Sequence, residues 1–349
     1  MDSLVAARAA FDGGRGYLAA CTAGLPPRVA RDAVIADTTA AARGHIDIAG
    51  YCAVVEQTRG HFARLVGVGA DRVAIGAQAS VFAGLIATAV PDGGEVLVPE
   101  GDFSSVARPF AHAGRGIRLR TAPIEQLAEA ITPSTSLVAF SIVQSATGIV
   151  ADVDAVVAAA DAVGARTFAD ATQAVGWLPV DAERYDAVVC HAYKWLCAPR
   201  GVAFLALSPG FARELEPIFA GWYSGADPWA SCYGHEFDLA PDARRFDVSP
   251  AWQAFVGAEP ALALFAALDR SAAYDETTGL AARFRDGMAL PHPPRASAIV
   301  TWADAAGDDL AALTAAGVTA SGRAGRTRVA FHIFNDDEDV DLALRALGR

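Results

Sequence analysis

An apolar strand pattern, a helical pattern and a second apolar strand pattern follow one another between residues 137 and 170, and this succession constrains the fold most. LVAFSIV (137–143) leads through DVDAVVAAADAVGA (152–165), whose apolar residues have helical spacing, to RTFAD (166–170). Such a βαβ unit has a right-handed crossover. Further apolar, β-branched segments at Val73–Ile75, Glu95–Val98, Ala187–Cys190 and Val202–Leu207 recur between helix-patterned stretches. The alternation predicts an α/β fold with a mostly parallel sheet wrapped by helices. Asp170 then falls at a strand's carboxyl end, where open α/β sheets place their ligands.

Beyond Pro250 the pattern changes. A helix-rich stretch (Trp252–Asp269) is followed by a proline-rich turn (291–294), short strands around Ala298–Trp302 and Arg328–Ile333, and a closing helix. Asn335, with Glu338 three residues on, is the expected N-cap of that helix. A chain of 349 residues exceeds one ordinary core. The expected organisation is an N-terminal segment and large domain over 1–250 and a smaller α+β domain over 251–349.

At 53% hydrophobic residues the chain has ample material for a core, which argues against disorder. A net charge of −12, with lysine and arginine scattered, argues against a nucleic-acid partner. No apolar run approaches the roughly 20 residues that span a bilayer. MDSLVAARAAFDGGRG lacks a basic leader, so a cytoplasmic protein with no membrane partner is expected. The five cysteines, Cys21, Cys52, Cys190, Cys197 and Cys232, form no CxxC pair. Most read as small buried hydrophobes, and together they are not expected to form a disulfide framework or a metal site.

Chemistry concentrates in FADATQAVGWLPVDAERYDAVVCHAYKWLCAPRGVAFLALS (168–208). Asp170 closes a strand, Gln173 follows it, and Lys194 stands among aromatic and apolar neighbours. A lysine in such surroundings loses its proton readily and forms an imine with an aldehyde, because desolvation disfavours the ammonium. A carboxylate against a pyridine nitrogen keeps it protonated, so that the ring accepts electrons. Taken singly, Asp170 is as well read as a turn residue and Lys194 as an exposed cation. Together with Gln173 and the APRG turn, the pair points to a bound aldehyde cofactor.

This pattern resembles the aminotransferase class V family of fold-type I pyridoxal-phosphate enzymes, from YLAACTAGLPP near the start to the last helix. The resemblance implies a pyridoxal 5'-phosphate cofactor, with Lys194 as the Schiff-base lysine, Asp170 at the pyridinium nitrogen and Gln173 at the ring hydroxyl. It implies His191 and Tyr193 at the phosphate, with a buried structural histidine as the alternative for His191. Ala79 and Ser80, in AIGAQASVFAGLIA, match the phosphate-cradling pair at a helix start, although a serine there also caps a helix without any ligand. Phe103 matches the side chain stacked on the cofactor ring, with core packing as its alternative. SIVQSATG (141–148) and GWYSG (221–225) are similar to kynureninase features, and Ser145 stands where desulfurases have asparagine. By that resemblance Trp222 and Ser224 complete the site of a partner subunit in a homodimer with shared sites. Arg328 aligns with the arginine that grips the substrate α-carboxylate, a task suited to a planar guanidinium. Arg323 and Arg326 are its neighbours and competitors.

The reaction expected from the resemblance is cleavage at the Cα of a small amino acid. A persulfide-forming desulfurase needs a cysteine shortly before Arg328, yet none follows Cys232. A lyase acting by β- or γ-elimination is slightly favoured over an aminotransferase, a kynureninase-like hydrolase and a non-enzymatic relative. Lys194 is the discriminator against the last. No GxGxxG opens a βα turn, which ranks a dinucleotide-dependent oxidoreductase low.

Overall fold

The computed structural model describes residues 2–349. Strands β1 (Val73–Gly76), β2 (Glu95–Pro99), β3 (Arg118–Ala122), β4 (Thr135–Ser141), β5 (Arg166–Asp170), β6 (Ala187–His191) and β7 (Ala203–Leu207) form one sheet. It has seven strands in the order β1-β7-β6-β5-β4-β2-β3. Only β7 runs antiparallel to its neighbours, and every other pairing is parallel. β1, β2, β6 and β7 are buried along their whole length, as strands covered on both faces must be.

The two faces carry separate cores. Ala74, Val96, Val98, Phe168, Val189 and Leu205 pack to one side, and Ile75, Leu97, Phe140, Val188, Cys190 and Phe204 to the other. Phe62, from the Ile48–Val66 helix, stacks on Phe204 with ring centroids 4.4 Å apart. Burying a side chain of this size contributes about 1.5–3 kcal/mol. The same helix carries Arg59, whose guanidinium is fully buried and pairs with the buried Asp247 at 2.7 Å. Asp247 also accepts the Ile75 N–H at 2.8 Å, and Arg59 donates to the Val73 carbonyl at 2.6 Å. This pair therefore ties the helix and the 243–246 turn to the edge strand β1.

The helix of the βαβ unit spans Val153–Val163. Asp152 caps it by accepting the Ala155 N–H, and Gly164 ends it with φ +72°, a left-handed position that a glycine adopts without steric cost. The Trp252–Ala266 helix lies against the Arg28–Ala41 and Ile48–Val66 helices.

A second sheet, order β8-β10-β9, is built from β8 (Ile299–Ala303), β9 (Ser321–Arg323) and β10 (Arg326–Ala330). Its core joins Val300, Trp302 and Val329 to Phe284 and Val340, and Leu18 from the start of the chain is buried in it. Tyr17 and Ala19 bridge to Thr319 and Ala330. One expectation is corrected here. The last helix spans Asp337–Ala346 with Asp336, not Asn335, as its N-cap, in a capping box closed by Asp339. Asn335 is fully buried instead, and its amide donates to the Gly14 and Tyr17 carbonyls and to Asp339. The inward-facing amide has more to satisfy than one helix end.

Candidate active site

Parallel strands end together, and here their carboxyl ends collect the polar side chains of the molecule's centre. β1 leads to Ala79, β2 to Asp102 and Phe103, β4 to Ser141 and Ser145, β5 to Asp170 and Gln173, and β6 to His191 and Lys194. Because β7 is antiparallel, its beginning lies at the same edge and brings Arg200 there. Ala79, Phe103, Ser141, Ser145, Asp170, Thr172, Gln173, His191, Tyr193, Lys194 and Arg200 all line one cavity.

Lys194 is 5% exposed, and no carboxylate among the described residues stands within salt-bridge distance of it. Its Nζ lies 5.2 Å from the Phe103 ring centroid and 5.7 Å from that of Tyr193. Burial pulls its pKa below the ordinary lysine value, and Asp170 works against that shift. Asp170 is 4% exposed and accepts the Thr172 N–H at 2.8 Å. Burial raises its pKa, opposed by the Thr172 hydrogen bonds and the charge of Lys194. Lys194 is therefore held without a counter-charge in contact, and Asp170 with only the Thr172 hydrogen bonds.

His191 has the same character. Its Nε2 is buried and has no hydrogen-bond partner among the described residues. Burial, then the positive charges of Arg200 and Lys194, push its pKa down to about 4. The ring meets Tyr193 edge-on at 4.4 Å, and Arg200 lies over the same Tyr193 ring, 4.2 Å from its centroid. At the same end the Ala79–Ile86 helix begins, with Gln78 as an N-cap whose side chain makes no capping bond. Free backbone N–H groups at a helix start are suited to an anion. Ser80 lies in that first turn and is half-buried.

Phe103 is 45% exposed and its ring lines the cavity. Asp102 fixes it. One carboxylate oxygen accepts the Phe103 N–H at 2.7 Å and the Ser141 hydroxyl at 2.5 Å, and the other accepts the Ser141 N–H at 2.8 Å. Gln173 donates to the Cys21 carbonyl at 2.9 Å and to Ser145 Oγ at 3.0 Å, while its oxygen accepts Trp195 Nε1 at 2.7 Å. The loop before Lys194 is packed tightly from outside. A Cβ on Gly24 would stand 2.0 Å from the Lys194 carbonyl, so only glycine fits there.

Arg328, on β10, is 1% exposed. It donates to the carbonyl and hydroxyl of Ser145, to Ser321 Oγ at 3.1 Å and to Thr22 Oγ1 at 2.9 Å, all neutral acceptors. A buried guanidinium with no carboxylate beside it is set for an anionic ligand. Arg326 bonds only to Thr301, and Arg323 is exposed and bonds to its neighbour's carbonyl. Trp222 and Ser224 are not in this cavity. Ser224 is buried in its own turn, exchanging hydrogen bonds with Gly221, and Trp222 lines a separate hollow with Trp229, Tyr233 and Trp252.

Sequence reasoning missed Asp102, Thr172 and Arg200. An acid directly after a strand, the signal that found Asp170, also marks Asp102, and Arg200 lies inside the APRG turn. Thr172, whose hydroxyl accepts the His191 N–H at 3.0 Å, has no such signal.

A model of the aminotransferase class V family matches residues 17–293. The chain belongs to that family. Among curated proteins, isopenicillin N epimerase of Streptomyces clavuligerus is 30% identical to this class V chain over 216 residues, 56% of the chain and 54% of that protein. Kynureninase of Deinococcus radiodurans is 29% identical over 244 residues, 67% of the chain and 59% of that protein. The class V chain thus matches 54% and 59% of the length of these curated relatives. A solved mutant of C-DES, with glycine covalently linked to its PLP cofactor, superposes with a TM-score of 0.86 at 21% identity, covering 97% of this chain and 98% of that one. The architecture is the fold-type I arrangement.

Proposed function

We propose that this class V chain is a pyridoxal-phosphate-dependent enzyme acting at the Cα of a small amino acid, as a lyase that eliminates a β- or γ-substituent. The observation that carries the reading is Lys194, a buried amine without a carboxylate partner, sharing one cavity with the buried Asp170.

The side chains fit the group. Asp170 offers a carboxylate to the ring nitrogen, Phe103 an aromatic face, and Gln173 a polar contact for the ring hydroxyl. His191, Tyr193 and the first N–H groups of the Ala79–Ile86 helix, with Ser80, offer donors to the phosphate. His191 Nε2, buried without a partner, accounts for one such donor. When bound, the cofactor supplies the electron sink that allows a bond at Cα to ionise.

The chain's own residues do the rest. Arg328 holds the substrate α-carboxylate through the Nη2 N–H that its neutral partners leave free, exchanging one of those neutral acceptors for a second prong, and so orients Cα. Lys194 Nζ, whose ammonium form burial disfavours, takes the Cα proton. Asp170 keeps the ring nitrogen charged, and Phe103 shields one face from water. Elimination needs one base at Cα, and Lys194 is the buried amine of this cavity. Trp222 is half-buried in an open hollow outside the cavity of its own subunit, which supports a homodimer in which it reaches the partner's site, whereas Ser224 is fully buried in its own turn and shapes that turn instead.

The test is incubation of the protein, reconstituted with pyridoxal phosphate, with single amino acids while released products are identified. Release of a leaving group with ammonia and a keto acid is the expected result. Accumulation of pyridoxamine phosphate without a leaving group assigns transamination instead. Failure to retain cofactor, or its fixation by borohydride at a residue other than Lys194, overturns the cofactor assignment. Mixed Lys194→Ala and Trp222→Ala chains should recover part of the activity, because a hybrid holds one intact site. A fully active monomer rules out the shared site.

A further inference from the structure

A second cavity, of about 750 Å³, lies between the small sheet and the segment that follows β4. Ile149, Trp302, Leu290 and the prolines of 291–294 give it an apolar wall, and Arg285 and Arg326, bonded to the Ile299 and Thr301 carbonyls of the same strand, also line it. Arg285 is 9% exposed and donates only to two carbonyls, those of Pro291 at 3.1 Å and Ile299 at 3.3 Å. Burial draws its pKa below the ordinary arginine value. Arg326 donates only to the Thr301 hydroxyl and carbonyl, each at 3.1 Å. Neither arginine pairs with a carboxylate among the described residues. The other charges on this cavity leave them unneutralised. Asp152 is taken by Arg295, His292 faces Asp286, and Glu125 is exposed at the mouth.

Arg326 and Arg328 alternate on one face of β10, about 7 Å apart along the strand. Arg328 bonds Ser145 at the wall of the cofactor cavity and Arg326 lines this one, with Thr301 against the Thr147 carbonyl between them. Keeping a guanidinium buried without a counter-charge is costly, and an anion in the cavity removes that cost. We propose that this cavity is a second anion site, distinct from the one at Arg328, which takes a small organic carboxylate with its apolar body along the Trp302 and proline wall. The carboxylate takes the free donors of Arg326 and Arg285. Occupancy does not depend on the cofactor, so an inactive protein leaves the site intact.

The probe is 4-fluorobenzoate, followed by fluorine NMR on the full chain reconstituted with pyridoxal phosphate. Binding at millimolar concentration or tighter is expected, with the neutral 4-fluorobenzamide bound at least about tenfold more weakly. Arg326→Gln should weaken the acid about tenfold or more, and Arg328→Lys should leave it within about twofold. Arg285→Lys, which keeps the charge and loses the fork, should also weaken it several-fold and serves if Arg326→Gln fails to fold. Equal binding of acid and amide, no binding at about 10 mM, or loss in Arg328→Lys with retention in Arg326→Gln overturns the site.

Discussion

Asp170 and Lys194 are each unfavourable where they stand, and that is their use. Burial works against both charged forms. A ring nitrogen bearing a proton and an aldehyde receiving the amine relieve both at once. Asp170→Asn keeps the shape and one acceptor oxygen for the Thr172 N–H but removes the charge that holds the ring nitrogen protonated. Losing that stabilisation of developing charge costs a few kcal/mol, which is about a hundred- to a thousandfold in rate. Cofactor should still be fixed by borohydride at Lys194 in this variant. Steady-state turnover with the best amino acid checks the prediction, and a rate within a few-fold of the parent means that another group holds the nitrogen. These two residues were legible in the sequence because their types and strand-end positions are chemically unusual. Asp102 and Arg200 carried weaker forms of the same signals and were passed over, because a carboxylate that holds a loop and an arginine on a tyrosine look like ordinary surface residues until the strands bring them together.

Legibility at the scale of elements follows burial. The strands read from the sequence are apolar runs covered on both faces, and six of the seven in the large sheet carry that signal. β3, with the sequence RLRTA, does not, because unlike the other edge strand, β1, it is uncovered, with three of its five residues exposed. β9 is three residues long and carries no periodicity at all. The antiparallel course of β7 was equally hidden, since a buried strand reads the same in either direction. Long-range docking is the other blind spot. The Tyr17–Ala19 segment pairs with Thr319 and Ala330, and Gly24 touches the Lys194 loop, through contacts that local spacing does not encode. The N-cap displaced from Asn335 to Asp336 has the same origin, an amide recruited by the distant Gly14 and Tyr17 carbonyls.

For the whole molecule, pH acts through groups that folding has removed from water. His332 is fully buried, stacked between Trp195 and Phe334 with centroids at 5.5 and 4.3 Å, and its Nε2 donates to the Trp195 carbonyl at 3.0 Å. Its Nδ1 has no partner among the described residues, and burial pushes its pKa down to about 4. In the unfolded chain the same ring titrates at the ordinary value of about 6.5. Between these values the unfolded state binds a proton that the folded state refuses, so stability rises with pH across the window and is lost as pH falls through it. The slope from one such histidine is about 1.4 kcal/mol per pH unit. Carboxylates with raised pKa values, Asp247 at about 6 among them, pull the other way, because the unfolded chain gives up their protons first as pH rises. Comparing the parent with His332→Phe cancels those shared contributions. Phenylalanine keeps the stack and loses both the hydrogen bond to Trp195 and the titration. The cofactor-free proteins, unfolded in urea at fixed protein concentration and followed by far-ultraviolet circular dichroism, should differ by an amount that grows in the parent's favour from pH 4.5 to about 6.5 and is constant above. A difference that does not change with pH means that the ring is protonated in the folded state as readily as in the unfolded one, with charge reaching it through an opening of the Trp195 and Phe334 stack.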